Sequence, residues 1–418
     1  MRISWLVLLV VLTWSTLLGR ANAQQEVLDS LIKSALDNNP ELLAAAHMRQ
    51  STAYAARGAG ALPDPMLSIG AMNLPVNSFS VGETPMSGVS VGFTQKIPWP
   101  GKLSARTDLA TAHYRESKAT EQVVRNRIIR QVTDAYLDYS FWSQSRSIIE
   151  QYLELLKVTQ DIADVRYATG DAPAQDVLRV SSLLSRTEVR LLKADQNRYS
   201  SLMRLRRAVG DTTISLELPV HLAEDRQADS LTGSVEGNPF LASAASVVDQ
   251  AETRRRLARR EFLPDLMLGV DYRFRQNVLG DPVRGTDFVT FKIGVNLPLW
   301  FFAKQKHQVR SANQLVLASR QRERSIRDML TTRYNDAASS LSTILESIDK
   351  YDSSLVPEAQ AAVEAAEVAY EVGEVDFDAL LTAQSDAFEI RLERLDLLRQ
   401  YHQTLADLNE LTGNSNER

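Results

Sequence analysis

Residues 266–274 read LMLGVDYRF. Leu266, Leu268, Val270, Tyr272 and Phe274 fall on one side of an extended chain, with Met267, Gly269, Asp271 and Arg273 on the other. This alternation predicts a β-strand with one apolar and one polar face. Residues 289–297 repeat it, setting Val289, Phe291, Ile293, Val295 and Leu297 against Thr290, Lys292, Gly294 and Asn296. The stretch between them, RQNVLGDPVRGTD, carries the Gly, Pro, Asn and Asp of a loop.

A weaker version lies about two hundred residues earlier. Leu67, Ile69 and Ala71 mark one strand and Val89, Val91 and Phe93 the next, joined by the loop LPVNSFSVGETPMSG. The likeness extends beyond the strands. Asn39-Pro40, Leu62-Pro63-Asp64, Gly101-Lys102, Tyr167, Gly170-Asp171 and Val209-Gly210 recur in the same order as Asn238-Pro239, Leu263-Pro264-Asp265, Ala303-Lys304, Tyr370, Gly373-Glu374 and Thr412-Gly413. The separation between partners drifts only from about 199 to about 203 residues, which points to a duplicated unit.

The rest of each copy is helical. From Lys102 to Thr169 there is neither glycine nor proline, and apolar residues recur at threes and fours, predicting one helix of roughly 100 Å. The second copy runs from Ala303 to Val372 with only Pro357 inside, where a kink is expected. Each long helix should stop at a glycine turn, in YATGDAPAQDVL or YEVGEVDFDALL, with a short acidic residue starting the returning helix over 174–209 or 377–412. Helices of this length bury enough surface only as coiled-coil-like hairpins. The expected organisation is a first repeat over 24–215 with a strand pair at 65–98 and a hairpin at 102–209. A linker at 216–233 leads to a second repeat over 234–413, with a strand pair at 265–299, a hairpin at 303–412 and a tail at 414–418.

Residues 1–23 have the pattern of a signal peptide. Arg2 precedes the apolar run WLVLLVVLTWSTLL, and Ala21 and Ala23 provide a small-residue cleavage site before Gln24. No other run approaches transmembrane-helix length, so the mature chain is expected to be exported and either soluble or a β-barrel protein. A net charge of −5 gives no electrostatic case for nucleic acid. The absence of cysteine removes thiolate metal sites, cysteine nucleophiles and lipid attachment through an N-terminal cysteine.

Nine strand residues tilted near 45° span roughly 20–25 Å, which suits an outer-membrane β-band. Four strands cannot close a barrel, since the smallest membrane barrels use about eight, and lipid does not tolerate open edges. Several protomers must then contribute strands to one barrel.

With ALPDPMLSIG, QKIPWPGK at 95–102 and the paired tip turns, the duplicated frame resembles the TolC-like outer-membrane efflux channels over nearly the whole mature chain. The resemblance implies an α+β membrane protein forming a homotrimer. Its shared 12-stranded β-barrel would take four strands per protomer, and a long periplasmic α-helical barrel of coiled-coil hairpins would carry the internal two-fold repeat. It also implies an exit duct for an inner-membrane RND-type pump joined by a periplasmic adaptor (membrane fusion protein). The PDPML and PWPGK wording is similar to the cation-efflux branch of CusC- and CzcC-like channels, with multidrug efflux or type I protein secretion as alternative roles. Members of that branch often carry a lipidated N-terminal cysteine; this chain has none, so the barrel alone is expected to hold it in the outer-membrane lipid. A periplasmic adaptor is the rival architecture, but it would show one hairpin flanked by lipoyl-like segments.

A passive duct needs no catalytic residue and no cofactor, and none is expected. His47, His113, His221, His307 and His402 lack metal-ligand spacing. Met66, Met72, Met86 and Met267 lie in or near the strands; a thioether relay for soft cations is one reading, ordinary apolar filling the plainer one. Around the tip turns at Gly170 and Gly373 cluster Asp171, Asp176, Glu371, Glu374, Asp376 and Asp378, a candidate acidic gate, of which Asp171, Asp176, Asp376 and Asp378 would otherwise cap or decorate helix N-termini. Trp99 and Trp300, just past strand ends, suit a membrane-interface aromatic girdle. The basic run RRRLARREF at 254–262 reads as a solvated helix face rather than a lipid-phosphate contact.

Overall fold

The computed structural model describes residues 26–211, 213, 222 and 233–413. The signal-peptide residues, most of the expected linker, the 414–418 tail and His221 lie outside the described residues. A short helix α1 over 26–38 leads to α2 (Pro40–Gly58), strands β1 (Met66–Met72) and β2 (Gly88–Ile97), the 68-residue helix α3 (Lys102–Thr169) and α4 (Ala174–Val209). The order then recurs as α5 (Pro239–Arg260), β3 (Asp265–Phe274), β4 (Phe288–Asn296), α6 (Gln305–Lys350), α7 (Val356–Glu371) and α8 (Phe377–Thr412). The strand and helix spans expected from periodicity appear, except that β4 ends at Asn296, residues 299–304 form turns before α6, and a π-helical turn divides the second long helix. The chain divides into two compact units, one from 1–45, 121–241 and 327–418, the other from 46–120 and 242–326.

The first unit is helical. One apolar cluster gathers Leu31 and Ala35 of α1 with Ile128 and Val132 of α3 and Leu205 and Val209 of α4. Another joins Leu156 of α3, Val180 of α4 and Leu380 and Phe388 of α8, where Tyr152 stacks on Phe388 with ring centroids 4.2 Å apart.

The repeated Asn-Pro pairs have one structural task. Buried Asn39 donates through Nδ2 to the Ala208 carbonyl at the end of α4 (2.9 Å), while its Oδ1 accepts from Glu41 N at the start of α2 (2.9 Å). Asn238 donates to the Glu410 and Leu411 carbonyls at the end of α8 (3.0 and 3.1 Å) and accepts from Phe240 N (2.8 Å). One amide thus satisfies the orphan carbonyls of a returning helix and an orphan N–H of the next helix. The proline that follows supplies no N–H and fits the first helical turn.

Just before Pro357 the regular helix is interrupted. Residues Tyr351–Leu355 form a π-helical turn between α6 and α7, with Val356 N bonded to the Tyr351 carbonyl. The wider turn accommodates a residue that would otherwise clash with the carbonyl four positions back.

A charged network also lies in this unit. Asp138 accepts from Arg204 (3.1 Å), Arg399 (3.2 Å) and Gln403 (3.2 Å), and Arg130 pairs with Asp134 (2.8 Å) and Asp407 (3.0 Å). Burial pushes the Asp134 carboxyl above the ordinary carboxylate value, against the pull of its hydrogen bond and charge interaction with Arg130.

The second unit holds the four-stranded sheet, in the order β1-β2-β3-β4, with every neighbouring pair antiparallel. Its helices bury small residues, among them Ala105, Ala112, Ala251 and Ala312. Arg115 pairs with Asp249 across two of them at 2.5 Å.

Two predictions concern the first unit. Asn238→Ala leaves two carbonyls and an N–H without their partner, and is expected to lower its stability by about 2–3 kcal/mol. Asn39→Ala should cost less, because one carbonyl is lost rather than two; circular-dichroism unfolding of the detergent-solubilised variants measures both. The folded state holds the Asp134 proton more tightly than the unfolded chain does. The stability this group contributes is therefore present below its ordinary value of 3.8 and lost as pH rises through the raised value. Asp134→Asn should unfold at a higher temperature than the parent at neutral pH, with the difference vanishing in acid; equal melting at both pH values would contradict it.

Candidate channel-lining face and hairpin tips

Strand register separates two chemistries. Ile69, Val91, Tyr272 and Val289 form one cross-strand row, and Leu67, Phe93, Val270 and Phe291 another. Leu268 with Ile293 and Leu266 with Val295 extend the same apolar face. It is open in the protomer: Phe291 is 81% exposed and Ile293 79%.

The opposite face carries small and charged residues. Ser68, Gly92, Asp271 and Thr290 form one row, and Met66, Thr94, Gly269 and Lys292 the next. Lys292 and Asp271 pair diagonally at 2.7 Å. Gly92 makes room for that aspartate, since a Cβ there would lie 2.5 Å from Asp271 Oδ1 and 2.6 Å from Ser68 Oγ. Of the four methionines, Met66, Met72 and Met267 lie on this face, and Met72 Sδ accepts from Arg273 at 3.3 Å. Met86 lies in the β1–β2 loop. No ligand set emerges from them: the sulfur of Met72 meets a cation. Among the described residues no three of His, Asp and Glu gather in a way that would hold a metal ion.

Both ends of the sheet are pinned. At one end Arg275 and Asp281 pair at 2.9 Å with both side chains 1% exposed, and Arg275 also donates to the Pro85 carbonyl in the other loop. At the other end the two sequence signatures meet. Buried Lys102, of PWPGK, donates to the Leu263 carbonyl (2.6 Å) and to Asp265 Oδ1 (2.8 Å), both of LPD. Asp265 also accepts from Trp99 N (3.2 Å) and pairs with Lys96 (3.2 Å). Arg260 braces the same loop through the Gly101 carbonyl and Ser104 Oγ, so this end of the basic run is a loop brace and not a free solvated face. Trp99 is 36% exposed and Trp300 78%, each in the turn after a strand.

The two hairpin tips share one backbone design. Gly170 (φ 85°) and Gly373 (φ 78°) adopt the left-handed conformation, and nothing lies within 4 Å of a Cβ at either, so backbone angle alone demands glycine. Gly170 N bonds to Tyr167 O and Asp171 N to Arg166 O, as Gly373 N bonds to Tyr370 O and Glu374 N to Ala369 O.

Beyond the glycine the tips differ. Asp376 caps α8, its Oδ1 accepting from Ala379 N at 2.9 Å. The N-cap of α4 is Pro173, with no side-chain bond, and Asp171 instead accepts from Thr169 Oγ1 at 2.8 Å. The expected acidic start is therefore met at the second tip only, because Pro173 already fixes the extended conformation a cap needs. Asp176 sits in the first turn of α4, Asp378 pairs with Arg179, and Glu371 and Glu374 are exposed. Sequence reasoning missed Arg179 and also Arg166, which donates to the Tyr370 carbonyl (3.4 Å) with its guanidinium 4.5 Å from that ring's centre. The signal for Arg179 is its place two turns into the returning helix, level with the opposite tip.

The model of the outer membrane efflux protein family matches residues 31–211 and again 234–414. OpmQ of Pseudomonas aeruginosa, named as a pyoverdine export outer membrane protein, is 25% identical over 413 residues, covering 88% of this chain and 82% of its own. CzcC of Cupriavidus metallidurans, named as a cobalt-zinc-cadmium resistance protein, is 22% identical over 390 residues, covering 92% and 90%. Among solved structures, the outer membrane protein VceC of Vibrio cholerae superposes with a TM-score of 0.79 at 17% identity, over 93% of this chain and 96% of that one. The TolC-like resemblance of the sequence is thereby borne out. The chain belongs to the outer membrane efflux protein family, whose members are outer-membrane channels with large periplasmic portions, and not enzymes.

Proposed function

We propose that the protein is the outer-membrane exit duct of a tripartite efflux system exporting heavy-metal cations of the copper/silver or cobalt/zinc/cadmium type. The observation that carries the reading is the two-faced sheet with a free edge on β1 and on β4. Three protomers pairing β4 of one with β1 of the next form a 12-stranded barrel, apolar outside and polar within, wide enough to leave a lumen. The duplicated organisation, with a first repeat in 24–215 and a second in 234–413 after a signal peptide at 1–23, supplies two strand hairpins per protomer. The hairpin tips face the periplasmic adaptor and the RND-type pump, and the exposed acids Glu371 and Glu374 place negative charge at that mouth, which favours cations. Asp376 and Asp378 contribute less, one occupied as a cap and the other neutralised by Arg179. Trp99 and Trp300 lie in the turns after β2 and β4, at one membrane interface.

The likeness to CzcC supports metal cations, and the likeness to OpmQ supports a second reading, export of an organic molecule through the same duct. Deleting the gene in its host and measuring cell-associated copper, silver, cobalt, zinc and cadmium separates them. Metal accumulation that the intact gene reverses supports cation export; sensitivity to organic compounds with unchanged metals moves the substrate to the second reading. In planar bilayers, Glu371→Gln with Glu374→Gln should lower cation-over-anion selectivity, and unchanged selectivity would remove the acids from the conducting path.

A further inference from the structure

The buried clamp between the two signatures has an unmatched twin. Asp265 opens β3 and Lys102 opens α3, so their ion pair locks the strand of one repeat to the helix foot of the other where β2 runs beside β3. The counterpart of Asp265 is Asp64, in LPD of the first repeat, and that of Lys102 is Lys304, directly before α6. Two additional residues between Pro298 and Lys304 are absorbed in the turn where Lys304 N bonds to Trp300 O (2.9 Å). Asp64 and Lys304 are both exposed, and among the described residues neither side chain has a hydrogen-bond or ion partner. Their equivalents are 5% and 2% exposed.

We propose that Asp64 of one protomer and Lys304 of the next form an ion pair at the seam between copies, repeating the Asp265–Lys102 clamp where β4 runs beside the neighbour's β1. The inference rests on the shared-barrel reading above and adds to it the charge pair that fixes the register of each seam. Lys304 then donates to the neighbour's Leu62 carbonyl as Lys102 does to that of Leu263. The surroundings are plainer than those of the inner clamp. Arg260 and Glu261, which brace the first loop, are replaced by Ala59 and Gly60, and the second lysine, Lys96, by Asn296. The seam therefore depends on the single Asp–Lys pair more than the inner clamp does. A one-step slip of strands would also set the apolar face of one copy against the polar face of the next, and a charge pair at the strand foot opposes that slip.

The test is the heat dissociation of detergent-solubilised trimers on denaturing gels. Asp64→Asn and Lys304→Met should each lower the dissociation temperature, and the double variant should fall no further than the worse single one. The reversed pair, Asp64→Lys with Lys304→Asp, should recover part of the loss, while Lys306→Met, which changes a neighbouring lysine, should have no effect. Parental trimers with undiminished or strictly additive variants overturn the clamp and leave the channel standing. A parental protein that forms no trimer overturns the shared-barrel reading and the clamp with it. The chain has no cysteine, so Asp64→Cys with Lys304→Cys and a short bismaleimide in intact membranes gives a second readout. A ladder of linked protomers requiring both cysteines supports the seam, and its absence overturns it.

Discussion

In hydrocarbon no backbone N–H or C=O can be left without a partner, and an open sheet edge leaves a whole row of them. No helix among the described residues is long and apolar enough to cross a membrane. The sheet has an exposed apolar face, and it carries two free edges. In the barrel proposed above, oligomerisation is what pairs those edges. The same constraint accounts for β2 beside β3, since two hairpins joined edge to edge leave two open edges where separate hairpins would leave four.

Exposure of the apolar face points the same way. Side chains such as Phe291, Ile293 and Ile69 lie open in the protomer, and at about 25 cal/mol per Å² a face of this kind is costly in water. In the proposed barrel, insertion and assembly remove that cost together. The helical unit has another source of stability: apolar clusters along α3, α4 and α8, and asparagine clasps that tie the end of α4 to the start of α2 and the end of α8 to the start of α5. The asparagine clasp is repeated because the sequence unit that encodes it is repeated.

The parts legible in the sequence were those encoded by local period. Alternation gave the strands within a residue or two, and the glycine-free, proline-free run gave α3 at its full length. Long-range pairing was not legible. Lys102 and Asp265 both stood inside recognisable signatures, yet 163 residues separate them and nothing in either signature names the other. Asp378 looked like one more acid at a gate because its neutralising partner, Arg179, belongs to a different helix. Pro357 signalled a break in helical geometry, but the local pattern does not carry the form that break takes, a π-helical turn over Tyr351–Leu355.

The distribution of charge then separates the tasks of the two units. On the polar face of the sheet Lys292 is matched by Asp271, Lys96 by Asp265, and Arg273 lies against a neutral thioether. Glycines at 70, 92, 269 and 294 keep that face low and open a path without adding donors or acceptors. As the wall of the proposed barrel, a face so neutralised has little with which to distinguish one solute from another. At the tips the balance differs, since Glu371 and Glu374 stay exposed and the arginines nearby are committed to Asp378 and to the Tyr370 carbonyl. In the duct proposed above, discrimination by charge therefore belongs at the hairpin tips, and the sheet sets the width of the opening.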